Sequence, residues 1–379
     1  MSQSIGKFAV FAAAGVAALL VGCESPTNVD NVQRGYRGVG MVENYNRVLV
    51  AADAKKNEVP TALPAAEPGS PLAVTEYQNV QVLTDLDVNT FTRLMVAMTQ
   101  WVSPDQGCTY CHTADLASDE LYTKVISRQM LKMTRDLNAK WKDHVAVNGA
   151  GVTCYTCHRG QPVPANIWYK DPGPKVATGP GSQGRAGQNA PAAAVAYASL
   201  PYDPFTPFLQ GSENLRVTSL KDLPDGSNKT TLKTAEASFG LMMHMSDALG
   251  VNCTYCHNSR AFNDWKQSTP QRATSWQGIR MVRDINNNYL QPLAPHFPAN
   301  RLGPTGDIPK ANCATCHQGA YKPLYGVSQL KDYPELAVAS AKPVAAAPAA
   351  APAVAAAADE NLSKGEKIRS AIRGLFKLD

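Results

Sequence analysis

Gly151-Val-Thr-Cys154-Tyr-Thr-Cys157-His158-Arg159-Gly160 sets two thiols three positions apart and places an imidazole directly after the second. Cys-x-x-Cys-His is the attachment motif of a c-type haem: the thiols add across the haem vinyl groups and the histidine ligates the iron from one side. The pattern recurs at Cys108-Thr-Tyr-Cys111-His112, Cys253-Thr-Tyr-Cys256-His257 and Cys313-Ala-Thr-Cys316-His317. One copy alone would also suit a zinc half-site or a redox dithiol. Four copies, each with its histidine in the same place, point to four covalently bound c-type haems. They use every cysteine but Cys23.

The motifs fall into two similar halves. The first and third share Cys-Thr-Tyr-Cys-His, and the second and fourth share Cys-x-Thr-Cys-His-x-Gly. Between the motifs of each half runs a helical pattern, Met133-Thr-Arg135-Asp136-Leu137-Asn138 in one and Met281-Val-Arg283-Asp284-Ile285-Asn286 in the other. Upstream of each odd motif lies a methionine-rich stretch, Leu94-Met95-Val-Ala-Met98 and Leu241-Met242-Met243-His244-Met245. A duplicated two-haem unit explains all three coincidences. The expected fold is mainly α with long irregular loops, since Gly and Pro stand at 27 each and charged residues make up only 18%.

Cys23 belongs to a different pattern. One basic residue, Lys7, precedes an apolar run from Phe8 to Leu20 that ends in Leu20-Val21-Gly22-Cys23. The run is a secretory signal rather than a spanning helix, and its ending looks like a bacterial lipobox with Cys23 as the lipidated residue. An uncleaved hydrophobic anchor is the alternative. Either places the chain outside the cytoplasm at a membrane surface. The formal charge of +5 falls to +4 without Lys7, and eight haem propionates bring it to about −4. The basic sequence is therefore no sign of nucleic-acid binding.

Composition divides the chain further. Residues 1–22 form the signal, and 23–80 a lipid-anchored N-terminal segment. The first two-haem unit occupies 81–160, an irregular connecting segment 161–235, and the second two-haem unit 236–335. An Ala/Pro linker at 336–358 precedes a basic amphipathic tail at 359–379, suited to an anionic membrane or an acidic partner. In the first unit Leu121, Val125, Ile126, Met130, Met133, Leu137 and Trp141 make one apolar stripe, with Ser118 or Asp119 as the helix cap. Met130 and His144 would share a face about 21 Å apart if that helix continues, so one helix can serve two irons. Met133 lies near the same face, and the helical wheel does not choose between the two methionines. The repeat aligns Met133 with Met281, which makes both core residues, and aligns Met130 with Gly278.

Taken together, Thr99-Gln-Trp-Val-Ser-Pro104, Gln106-Gly-Cys108-Thr-Tyr-Cys-His112, Gly151–Gly160 and Ser268-Thr-Pro-Gln-Arg272 resemble the tetrahaem cytochrome subunit of purple-bacterial photosynthetic reaction centres. The resemblance covers roughly residues 23–335, leaving the linker and tail outside. It implies Met95, Met130 and Met242 as sixth ligands of the first three haems, opposite His112, His158 and His257. It implies His144 as the distal ligand of the fourth haem, opposite His317. His244 is the competing candidate at the third site. Arg272 would tune the third haem, which in this scheme lies nearest the pigments, while the first is most distal.

The implied role is electron transfer without bond-making chemistry. A soluble cytochrome c or high-potential iron–sulfur protein would refill the chain, which would re-reduce the photo-oxidised bacteriochlorophyll pair. It would dock on the L- and M-type core subunits at the periplasmic side of the inner membrane. A multihaem reductase of small oxyanions would need an open or Lys-ligated iron. A quinol-linked haem anchor would lean on bis-His haems and a spanning helix. All four motifs end in His and four distal ligand candidates exist, which argues against the first; only seven histidines, four of them in motifs, argue against the second.

Overall fold

The computed structural model describes residues 28–33, 41–146, 149–172, 189–218 and 231–337. The segment ending at Cys23, and the linker and tail beyond residue 337, lie outside the described residues. The chain begins with an antiparallel hairpin, β1 (Val29–Gln33) and β2 (Val42–Asn46), paired from Val29↔Asn46 to Gln33↔Val42. Asn46 ends the hairpin and starts α1 (Arg47–Lys56), because its side chain accepts the Val48 and Leu49 N–H groups at 2.9 and 3.4 Å. After the short α2 (Ala73–Glu76) comes α3 (Val88–Val102), whose cap is Asp87. The Asp87 carboxylate takes the Asn89 and Thr90 N–H groups at 3.0 and 3.1 Å. Those bonds, with the hydroxyls of Ser70 and Thr90 first among them, hold its pKa down at about 2.

The first motif lies in a tight turn, Gly107–Tyr110. α4 (Tyr122–Lys140) and the single turn α5 (Lys142–Val145) follow, and α6 (Cys154–His158) is the second motif itself. The connecting segment is mostly irregular where described. It contains the small antiparallel pair β3 (Asn189–Pro191) and β4 (Ser199–Pro201). α7 (Leu232–Leu249) leads to the third motif, α8 (Pro270–Asp284) continues into a wider turn at Ile285–Leu290, and α9 (Cys313–His317) is the fourth motif. The described part is thus mainly helical with long loops.

Two expectations for α4 need correction. Its N-cap is Leu121, with no side-chain cap bond. Asp119 is occupied elsewhere, accepting both Arg128 guanidinium nitrogens at 2.9 and 2.7 Å and pairing with Lys124 at 3.4 Å. Nor does the helix run on to His144. It stops at Trp141, which leaves helical geometry (φ −108°, ψ 35°) and donates its indole N–H to Asp284 of the other half at 3.0 Å.

Two apolar clusters carry the packing. One gathers Leu94, Ala97 and Trp101 of α3 with Leu131, Tyr333 and Leu336. The other gathers Leu241 of α7 with Ile279, Met281 and Val282 of α8, Phe205 and Phe208. Met281 is buried as expected of a core residue, and Met133 packs half-buried against the same cluster.

Candidate haem-binding sites

Both even motifs are one-turn helices closed by reciprocal caps. The Thr153 N–H donates to the Thr156 hydroxyl, and the Asn312 N–H to the Thr315 hydroxyl, each at 2.9 Å. Each turn ends in two left-handed residues, Arg159–Gly160 (φ 51° and 78°) and Gln318–Gly319 (φ 48° and 83°). Glycine takes that conformation without steric cost, which explains the shared His-x-Gly. The two glycine N–H groups then donate to Trp101 on α3 and Ala248 on α7, both at 2.8 Å. Trp101 stands six residues after Met95, and Ala248 six after Met242.

A second pair of anchors comes from the helices between motifs. Asn138 donates to the Val152 carbonyl and accepts its N–H, both at 2.8 Å. Asn286 does the same to Ala311, at 3.0 and 2.8 Å. Val152 and Ala311 each precede a motif's first cysteine by two positions, so the asparagines fix where the thiols emerge. The two odd motifs also match. Thr123 and Thr269 donate to the Tyr110 and Tyr255 carbonyls, and Ser127 and Ser275 sit 3.4 and 3.6 Å from Cys111 and Cys256.

All four motif histidines are oriented alike. Nδ1 faces a backbone carbonyl: Leu116 for His112 (3.3 Å), Gln161 for His158 (2.8 Å), Phe262 for His257 (2.9 Å) and Ala320 for His317 (2.8 Å). His144 joins them, with Nδ1 2.9 Å from the Thr274 carbonyl. A histidine that donates through Nδ1 keeps the Nε2 lone pair for a metal. Burial lowers the pKa of all five, His317 to about 4 with the charges of His144, Arg159 and His244 contributing. Burial thus favours the neutral imidazole, the form a metal needs. Burial pushes the Cys154 and Cys313 thiols up to about 12.

His144 and His317 face one another across the even sites, ring centroids 6.2 Å apart at 65°. Two imidazoles ligating one metal from opposite sides put their centroids roughly 6 Å apart, given metal–nitrogen bonds of about 2 Å. Room for the His144 ring comes from Gly278, where a Cβ would lie 2.5 Å from Cε1. That is the position the repeat aligns with Met130. The cavity between the even motifs, about 450 Å³ and mostly apolar, is lined by Met130, Met133, His144, His158, His317 and the four even-motif cysteines. Cys157 and Cys316 meet within it: burial and a hydrogen bond to Cys316 hold Cys157 as a thiol. These residues fit haem held by thioethers and axial imidazole or thioether.

The cysteines and histidines of the odd motifs, with Met95 and Met242, do not line this cavity, although Tyr110 and Tyr255 of those motifs do. Cys108 and Cys253 are exposed, while Met95 and Met242 each pack half-buried against a different apolar cluster. Arg272 stacks on Trp265 at 4.0 Å and donates to Ser268 at 2.8 Å, and its charge acts on Cys256 and His257 of the third motif. His244 is buried, edge-on to Phe205 at 4.6 Å, with Nε2 unpartnered among the described residues. Sequence reasoning missed Asn57, which links the tails of both even motifs. It also missed the paired asparagines, whose signal was present in the shared Arg-Asp-x-Asn strings.

Helices that offer paired thiols and an adjacent, carbonyl-anchored imidazole define a c-type cytochrome. The chain belongs to the photosynthetic reaction centre cytochrome c subunit family, whose model it matches over residues 24–337. It is 54% identical to that subunit from Rubrivivax gelatinosus (strain NBRC 100245 / IL144), over 87% of this chain and 89% of the relative. Identity to the Thermochromatium tepidum subunit is 52%, over 94% and 87%. Identity to the Roseobacter denitrificans (strain ATCC 33942 / OCh 114) subunit is 41%, over 86% and 90%. The chain is accordingly a haem-carrying electron-transport subunit of photosynthesis, associated with the reaction-centre core at the membrane. No described helix is long and apolar enough to cross a membrane.

Proposed function

We propose that the chain carries four c-type haems and passes electrons from a soluble periplasmic donor, a small cytochrome c or a high-potential iron–sulfur protein, to the photo-oxidised bacteriochlorophyll pair. Bound haem supplies the one-electron carrier at each site. The eight motif cysteines would hold it covalently, with His112, His158, His257 and His317 as the motif ligands of the iron and Met95, Met130, Met242 and His144 as the further ligands. A thioether raises the reduction potential and a second imidazole gives a lower one, so His144 makes one site the low step of the chain.

One observation carries this reading: the anchors around the motifs recur in pairs, with Asn138 matched by Asn286, Ser127 by Ser275, and Trp101 by Ala248. Recurrence in three dimensions supports a duplicated two-haem unit, with Met95 and Met242 in equivalent places. Gly278 breaks the repeat where His144 enters, which supports His144 as the substitute for the missing methionine. We assign the soluble partner and the L- and M-type core subunits as docking partners. Cys23 would attach the chain by lipid to the periplasmic side of the membrane. The Ala/Pro linker and basic tail have no assigned part in this scheme.

Haem analysis followed by a redox titration with optical spectra tests the proposal. Four covalent haems per chain and four low-spin sites, one of them bis-histidine, are expected. A native high-spin iron that binds cyanide or nitrite readily would overturn it in favour of a reductase.

A further inference from the structure

Arg159 is the residue after His158, yet its guanidinium reaches the other half. Nη2 donates to the carbonyl of Cys316 at 3.1 Å and to Oδ1 of Asn57 at 3.0 Å. The left-handed backbone of Arg159 (φ 51°) places it on the side of the turn where the two even motifs meet. Asn57 fixes the arrangement. Its side-chain nitrogen donates to the carbonyls of Asp53 and Gln318, at 2.9 and 3.2 Å, and its oxygen also accepts the Leu324 N–H at 3.1 Å. Every hydrogen-bonding position of that buried amide is therefore used, and the guanidinium is held by a group that cannot readily turn.

The rest of the guanidinium lies over the Tyr155 ring, 5.5 Å from its centroid. Nε and Nη1 are closed off from solvent with no hydrogen-bond partner among the described residues. Arginine stays protonated in proteins, so a full positive charge sits there. The charge is felt at Cys157, at Cys316 and at His317, which are groups of both even motifs. Gln318 takes the equivalent place after the fourth motif, so of the two residues that follow the even-motif histidines only Arg159 is a cation.

We propose that Arg159 is a shared electrostatic positioning residue, a cation at the junction of the two even motifs that raises the reduction potentials of both even haems together. The proposal rests on the reading that the four motifs carry haem. A positive charge in a low-dielectric setting favours the ferrous state of any nearby iron. Set between two irons, it moves both, and it leaves the order of the two potentials to their axial ligands. It thereby keeps the bis-histidine site from falling so low that it slows transfer along the chain.

The test is Arg159→Gln in the full-length holoprotein, with haem content measured first. Four haems per chain in the unaltered protein keep the underlying haem reading intact, and fewer there would count against that reading instead. A redox titration resolved by electron paramagnetic resonance should then show both even haems shifted downward and both odd haems unmoved. Arg159→Lys should restore both even potentials most of the way, because it keeps the charge and loses the fork. If Arg159→Gln fails to assemble, Asn57→Asp answers the same question. It keeps the acceptor, sets a negative charge 3.0 Å from Nη2, and should lower the same two potentials. A shift confined to one even haem, an equal shift of all four, or no shift would overturn the proposal.

Discussion

Gly278→Ala is the sharpest perturbation of the ligand scheme, since it adds one methyl group at the point where the two halves differ. The new carbon would stand 2.5 Å from Cε1, 2.9 Å from Nδ1 and 3.1 Å from Nε2 of His144. Ordinary contact begins near 3.4 Å, so the ring must withdraw by about 1 Å to relieve the overlap. A metal–ligand distance tolerates only about 0.2 Å. The retreat also strains the 2.9 Å bond from Nδ1 to the Thr274 carbonyl. Backbone propensity acts in the other direction, because alanine in a helix interior is favoured over glycine by roughly 0.5–1 kcal/mol. The expected result is a folded protein in which one haem, the fourth, becomes high-spin and binds carbon monoxide while three stay low-spin. Magnetic circular dichroism of the oxidised protein and a carbon monoxide difference spectrum read this directly. An unchanged bis-histidine signal in a folded variant would refute the ligand role of His144.

His144→Met should raise the potential of the fourth haem alone, because a thioether favours the ferrous iron; a titration showing the second haem shift instead would reverse the Met130 and His144 assignments. Met242→Leu should open the third iron or let His244 capture it, changing its spectrum and the rate at which the flash-oxidised pigment pair is re-reduced. Unchanged spectra and kinetics would return Met242 to the apolar core. Cys23→Ser should release the protein from the membrane or leave it as an unprocessed precursor, and normal processing with normal partitioning would rule out lipidation there. Burial lowers the His244 pKa to about 4, below the ordinary histidine value, so the unfolded chain takes up the proton first as pH falls. The stability held above about pH 6.5 is therefore lost progressively towards pH 4, by up to about 3 kcal/mol. His244→Leu should flatten that part of the acid limb in denaturant titrations, and an identical limb would show that His244 does not set it.

Legibility in the sequence followed the range of the interactions involved. The haem attachment residues lie within five positions of one another, so Cys154, Cys157 and His158 announce themselves without any knowledge of the fold. The proposed two-half organisation rests on matched strings, and the bonds of Asn138 and Asn286 give those strings a physical purpose. Helix ends were less accessible. Asp119 has the chemistry of a cap, but Arg128 lies two turns further on and takes the carboxylate. The end of α4 depends on Trp141 reaching Asp284, 143 positions away. No local pattern encodes that bond.

The same distinction separates what a duplication explains from what it leaves open. Two copies of one unit would give two equivalent sets of ligands, and hence pairs of similar potentials. Asymmetry has to come from positions where the copies diverge and from residues that reach across. Gly278 is a divergence: a glycine where the first half has Met130, with the His144 ring filling the space. Arg159 reaches across, leaving its own motif to bind the Cys316 carbonyl while Gln318 occupies its counterpart position. In the proposed scheme the first difference removes a ligand from the second half, and the second places a charge after one even motif and none after the other. In that scheme both act on the even sites, whose Cys157 and Cys316 meet, whereas the odd motifs keep equivalent anchors from Thr123 and Thr269. Under the proposed duplication, unequal potentials would therefore arise at the even sites, where the two copies differ at Gly278 and at Gln318.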